Sequence, residues 1–327
     1  MSLALRLATL CLAFGAVIGA SGCITINLPS GRVEPLVETT VDGSGDAKIL
    51  LLEIDGVIRD APEVSQLFGT VTEGMVSRVR DELDAAREDD NVRAVVLRIN
   101  SPGGTVTGSD ILYREILRFK QEEEVPVVAQ MMGMATSGGY YVAMAADRVR
   151  AERTTVTGSI GVIFSGLNLT GLMKKVGVED QTVTSGDFKD TGSMLRPMRK
   201  DERVQLQSVI DDLYGRFLEV VAAGREDLTE EQIAALADGR IYSASQALEA
   251  GLIDEIGSVD GAVAIARSLA GVPNAKVVTY HRPSEHTSNF YTRPAERTRE
   301  LPSLWPDGMA LRGPAFLYLW APAVGLQ

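Results

Sequence analysis

The sequence predicts an α/β domain built on a parallel sheet, and two observations carry that prediction. Lys48 to Gly56 (KILLLEIDG), Asn91 to Ile99 (NVRAVVLRI) and Val125 to Gln130 (VPVVAQ) are short, almost unbroken apolar runs, as strands buried on both faces require. Between the first two, Val71, Met75, Val76, Val79, Leu83 and Ala86 recur with helical spacing. A strand, a helix and a second strand joined in this way form a right-handed crossover, the repeating unit of a parallel sheet. The 327 residues are 45% hydrophobic and 23% charged, enough apolar material for a sizeable core. A net charge of -12 with no long basic run argues against a nucleic-acid surface.

The N-terminus reads as a targeting element. Arg6 is followed by an uncharged apolar run from Leu7 and then by Ala20-Ser21-Gly22-Cys23. Small residues before a cysteine resemble the bacterial lipobox, giving a lipoprotein signal peptide over 1–22 with Cys23 lipidated; Ala20 stands where Leu is commoner. The alternatives are an uncleaved membrane anchor over 7–26, long enough to cross a bilayer as one helix, and a cleaved soluble product. All three place the remaining chain outside the cytoplasm. Cys11 and Cys23 are the two cysteines, so the chain beyond Cys23 holds neither an internal disulfide nor a cysteine-based metal site. Residues 23–47, rich in Pro, Gly, Thr and acidic residues, read as a linker.

Order is expected from Lys48, with a helix over Val71 to Arg87. The strand NVRAVVLRI runs into Asn100-Ser101-Pro102-Gly103-Gly104, a sharp turn before a helix over Thr107 to Phe119. Such a turn leaves backbone N–H groups pointing outward, where an oxyanion could rest. By itself it is also an ordinary strand-to-helix turn. The strand VPVVAQ then delivers Met131 to Tyr141 (MMGMATSGGYY), with Ser137 where a helix begins. Alone, Ser137 reads equally as a helix N-cap.

A serine hydroxyl is a weak nucleophile without a base. The two histidines, His281 and His286, lie in the polar C-terminal part, and Ala135 stands where a G-x-S-x-G elbow has its first glycine. Lysine is the remaining base, in a setting that favours its neutral form. Lys189, after a Gly-Asp-Phe turn and an expected strand over Asp180 to Thr184, is the lysine least easily assigned to a solvated face; composition leaves a surface role open.

RINSPGGTV, GMATSGGYYVAMAAD, TVTGSIGVI and SGDFKD together resemble the serine/lysine signal peptide peptidase A family, in the same order and at similar spacing. The resemblance covers Lys48 to Val277. It implies a Clp protease/crotonase-like repeated β-β-α spiral domain with a C-terminal helical extension, and serine peptidase activity needing no cofactor. It further implies that Ser137 is the nucleophile and Lys189 the general base, that Gly104 and Gly138 supply the oxyanion amides, and that Ser159 supports the lysine. Thr136 departs from the small residue common before the nucleophile. Short single-domain members form dome-shaped octamers in which neighbouring subunits supply serine and lysine. The expected substrates are remnant signal peptides or similar peptides, and the expected place is the bacterial cell envelope, held to the membrane by the N-terminus.

Beyond Lys189, apolar residues from Val204 to Val221 recur with helical spacing over Asp201 to Gly224, predicting a core-facing helix. Shorter elements follow to Tyr280, with Leu252-Ile253 strand-like. The peptidase domain is set at 48–281 and a C-terminal tail at 282–327. That tail ends in Phe316-Leu317-Tyr318-Leu319-Trp320, aromatics that a free tail would expose, so it is expected to dock on its own or a neighbouring subunit. Two other classes of function remain open, a non-catalytic membrane scaffold and a crotonase-type acyl-CoA enzyme; the exported N-terminus argues against the latter.

Overall fold

The computed structural model describes residues 34–60, 63–64, 71–283, 289–290 and 315–319. The expected signal peptide or anchor, with Cys23, lies outside them. No helix among the described residues is long and apolar enough to cross a membrane.

The chain opens with β1 (Val37–Asp42), β2 (Lys48–Asp55) and the short pair β3 (Glu63–Val64) and β4 (Val71–Thr72). Helix α1 (Met75–Arg87) leads to β5 (Val92–Ser101), β6 (Gly103–Thr105), α2 (Val106–Glu122), β7 (Val127–Thr136) and α3 (Gly138–Ala143). Then come β8 (Arg148–Ala151), β9 (Val156–Gly158), β10 (Ile163–Ser165) and α4 (Thr170–Val176). The C-terminal part holds α5 (Lys200–Gly224), α6 (Glu230–Leu236), β11 (Ile241–Ser243), α7 (Ala244–Glu249), β12 (Glu255–Ile256), α8 (Val259–Leu269), β13 (Lys276–His281) and β14 (Ala315–Leu319).

The main sheet runs β1-β13-β2-β5-β7-β8-β12, with β9 also on β7 and β11 on β9. From β13 to β12 the pairs are parallel, as are β7 and β9. The apolar runs exist because this sheet is covered on both sides. Leu50, Leu52, Ile54, Val95, Leu97, Val127 and Ala129 pack against α1, α2 and α5, while Ile49, Leu51, Ala94, Val96 and Val128 pack against Ala262, Val263 and Ala266 of α8. Each fully buried Leu or Ile contributes about 1.5–3 kcal/mol.

Several expectations are corrected. The span assigned to a linker contains β1, which pairs antiparallel with β13; its edge position leaves an alternating Val/Thr pattern instead of an apolar run. The helix expected from Val71 begins at Met75, after β4. The Ser-Pro-Gly-Gly turn continues directly into strand β6, pairing with Ile58 and β14. No strand forms over 180–184, where no strand among the described residues lies alongside to pair with it and Val183 is 95% exposed. Leu252 and Ile253 are buried, but the strand there is Glu255–Ile256. Helix α5 packs on the core chiefly through Phe217, Val220 and Val221 in its second half; near its start Glu202 and Leu206 are buried, while Val204 falls on the opposite face and is 71% exposed. The tail docks on its own chain, as β14 between β6 and β10.

Candidate active site

Strand β7 carries the serine. Thr136 and Gly158 form the last pair of the parallel β7–β9 ladder, and the Ser137 N–H donates to the Gly158 carbonyl at 2.7 Å. One residue later the chain enters α3, where Tyr141 N–H donates back to the Ser137 carbonyl at 2.9 Å. To serve both elements Ser137 takes φ 52° and ψ −115°, a conformation costing on the order of 1–3 kcal/mol for a residue with a Cβ. Close packing holds it there. A Cβ on Gly139 would sit 2.9 Å from the Ser101 carbonyl, and one on Gly138 would collide with Ser109 Oγ. Ser137 is 1% exposed, and its hydroxyl has no hydrogen-bond partner among the described residues. Beside it, the Thr136 hydroxyl is buried and likewise unpartnered among the described residues.

Ser159 repeats this geometry on the adjacent strand. It follows Gly158 as Ser137 follows Thr136, so the parallel register sets the two serines side by side. It too has a positive φ, 50°, and is buried, with its N–H donating to the Arg240 carbonyl at 2.7 Å.

The glycine turn completes the serine side. Gly103 N–H donates to Ser101 Oγ at 3.0 Å, and Ile58 N–H to the Gly103 carbonyl at 2.8 Å. Gly103 has φ 99°, and a Cβ there would lie 2.7 Å from the Gly138 nitrogen; a Cβ on Gly104 would collide with the Ile58 carbonyl. The turn and the start of α3 are thereby pressed together, with the Gly138 N–H in a helix's first turn, where no intrahelical acceptor exists. Gly103 was not singled out in the sequence, although the doubled glycine was its signal.

Lys189 stands apart. It lies in an exposed turn, its N–H donating to the Gly186 carbonyl at 3.1 Å, and its amine makes no hydrogen bond or ion pair among the described residues. The same region exposes Leu172, Val176, Val178, Val183 and Phe188. The lysine turn is held by Arg199, on the Asp187 carbonyl and over the Phe188 ring, and by Arg196, also unmarked in the sequence. Its guanidinium donates to Asp190 at 2.6 and 2.7 Å and to the buried Glu202 at 2.9 Å. Those hydrogen bonds hold both carboxyls below their usual range.

His281 ends β13, with β2 and β5 between it and β7, and its ring hydrogen-bonds with Thr39 at 2.8 Å; His286 lies outside the described residues. The structure therefore brings Ser137, Ser159, Gly104 and Gly138 together and leaves Lys189 outside that cluster.

This chain is similar to known peptidases over most of its length. Peptidase family S49 matches residues 119–273, and Clp protease matches 63–159. A protein of Enterococcus faecium named "Putative signal peptide peptidase SppA" is 37% identical over 250 residues, covering 76% of this chain and 72% of the relative. "Putative protease slr0021" of Synechocystis is 40% identical over 212 residues, covering 65% and 75% respectively. Protease 4 of Haemophilus influenzae is 36% identical over 222 residues, which span 68% of this chain and 35% of that longer protein. On this coverage, with a Clp-like α/β domain beneath it, the chain belongs to peptidase family S49 and is a serine peptidase.

Proposed function

We propose that the chain is an endopeptidase of the bacterial cell envelope that cleaves remnant signal peptides or similar peptides with a Ser137/Lys189 dyad shared between subunits. One observation carries this reading. Ser137 is buried and strained beside two glycine amides, with no base beside it among the described residues, while Lys189 sits on an exposed segment flanked by bare apolar side chains. A neighbouring copy covering that segment would bring lysine to serine and bury the apolar groups. Residues 1–22 as a lipoprotein signal with Cys23 lipidated, or 7–26 as an anchor, would hold the assembly at the membrane.

The chemistry is acyl transfer. The unprotonated Lys189 amine takes the Ser137 proton, and Oγ attacks the peptide carbonyl. The oxyanion rests on the Gly104 and Gly138 N–H groups, and Ser159 orients the amine. Lysine then protonates the leaving amine, and water repeats the sequence on the acyl-enzyme.

The test is peptide cleavage by Ser137→Ala and Lys189→Ala proteins, alone and co-assembled. Each alone should lose about 10⁴-fold or more in kcat/KM. Activity recovered on mixing supports shared sites. Full activity in either single variant sinks the dyad.

A further inference from the structure

Of Phe188, Lys189 and Asp190, the outer two side chains are held by arginines, and the middle amine has no hydrogen bond or ion pair among the described residues. The Arg199 guanidinium lies over the Phe188 ring, 5.6 Å from its centroid, and donates to the Asp187 carbonyl. Arg196 takes both oxygens of Asp190, at 2.6 and 2.7 Å. Both arginines then end on one carboxylate. Glu202, in the first turn of α5 and 0% exposed, accepts from Arg196 at 2.9 Å and stands 3.1 Å from the Arg199 guanidinium. It also accepts the Arg199 backbone N–H at 2.8 Å.

A helix cap needs only the last of these contacts. A carboxylate taken wholly out of water between two guanidiniums is more than capping requires. The segment before α5 gives the extra contacts a purpose. Residues 177–199 contain no helix or strand to fix the lysine, only short turns, in which Thr191 Oγ1 donates to the Phe188 carbonyl at 2.8 Å and Ser193 N–H to the Asp190 carbonyl at 2.9 Å. We propose that Glu202 is a positioning residue for the peptidase reaction: through Arg196 and Arg199 it fixes the chain on both sides of Lys189, so that the free amine reaches the Ser137 of a neighbouring copy from one set point. This rests on Lys189 as the general base. The lysine stem is flexible, so its flanks must supply the precision, and a misplacement of about 1 Å costs up to about a hundredfold in rate. The charged groups packed about the turn are Asp187, Asp190, Asp201 and Glu202 against Arg196 and Arg199. Removing the Glu202 charge leaves the guanidiniums less balanced, which disfavours a protonated amine between them.

The experiment uses the full-length assembled protein and a fluorogenic peptide. Glu202→Gln keeps the size and still accepts the Arg199 N–H, but carries no charge to hold two arginines. Its kcat should fall about tenfold with KM and oligomer mass unchanged, and the acid limb of its kcat–pH profile, where Lys189 gains its proton, should move to lower pH. Glu202→Asp, which keeps the charge on a shorter stem, should recover part of kcat and return the limb toward its wild-type position. A residue that only caps α5 would change the melting temperature and neither of these readouts. An unchanged kcat in Glu202→Gln, or an acid limb that stays in place, overturns the proposal. Should Glu202→Gln fail to fold, Asp190→Asn breaks the same chain of contacts at its outer end and should also lower kcat about tenfold; full kcat there overturns it equally. Lys189→Ala separates the two readings. Activity surviving in that variant removes the base assignment itself, whereas activity lost there with wild-type kinetics in Glu202→Gln removes the role of Glu202 alone.

Discussion

The two halves of the proposed dyad are built differently. The serine half is over-determined: strand register, helix start and interlocked glycines all act on Ser137, which is 1% exposed and holds an unfavourable backbone angle. The lysine half is under-determined. Residues 177–199 contain no helix or strand, and two arginines organise the turn, Arg196 through Asp190 and Glu202 and Arg199 through the Asp187 carbonyl and the Phe188 ring. The contrast teaches where the subunit's own folding energy is spent. It builds the proposed nucleophile and oxyanion corner inside one chain and leaves the proposed base on a surface that an interface could complete.

Four perturbations test that contrast. Among changes outside the proposed dyad, Gly104→Ala should act most strongly, since its Cβ would strike the Ile58 carbonyl and displace a proposed oxyanion donor; kcat should fall about 10²–10³-fold in steady-state assays while assembly persists. An effect confined to KM would break the assignment. Ser159→Ala should lower kcat about tenfold to a hundredfold and leave KM nearly unchanged, because it acts on the proton carrier and not on peptide binding.

A third variant isolates strain. Ser137→Gly should abolish activity yet raise thermal stability by about 1 kcal/mol, because glycine tolerates the positive φ. Loss of stability on that change would mean that the angle is not strained. The smallest effect belongs to the lysine turn. Asp190 and Glu202 have depressed folded pKa values through the Arg196 hydrogen bonds, so their contribution is present above the unfolded values of about 3.9 and 4.3 and is lost as pH falls through the lower folded ones. Hydrogen exchange of residues 185–199, corrected for intrinsic rates, should stay flat from pH 8 to 5 and quicken only in stronger acid. Loosening near neutrality would break this account.

Much of the serine half was legible because its signals are local. The apolar runs of β2, β5 and β7 announce a doubly covered sheet, and glycines on either side of Ser137 announce close backbone approach. What stayed hidden depends on partners distant in sequence. β1 mixes Val37 and Val41 with Glu, Thr and Asp, too weak an apolar run to read as a strand until β13 lies beside it. The Thr/Val-rich stretch at 180–184 has strand propensity and no partner strand among the described residues, so propensity alone misleads there. Val204 is apolar but falls on the solvent face of its helix, between the buried Glu202 and Leu206. That the tail would dock was foreseeable from its aromatics; that it would enter the slot beside Gly104 was not, since nothing in Ala315–Leu319 encodes its register with residues some two hundred positions earlier.

The slot between β6 and β10 has one more consequence. It admits a single strand and engages it along both edges, so whatever enters must arrive with its backbone N–H and C=O groups unspoken for on either side. A folded protein has already committed those groups to its own helices and sheets. If a substrate peptide takes the place of β14 there, the gap admits loose peptide and turns away backbone already committed to a fold.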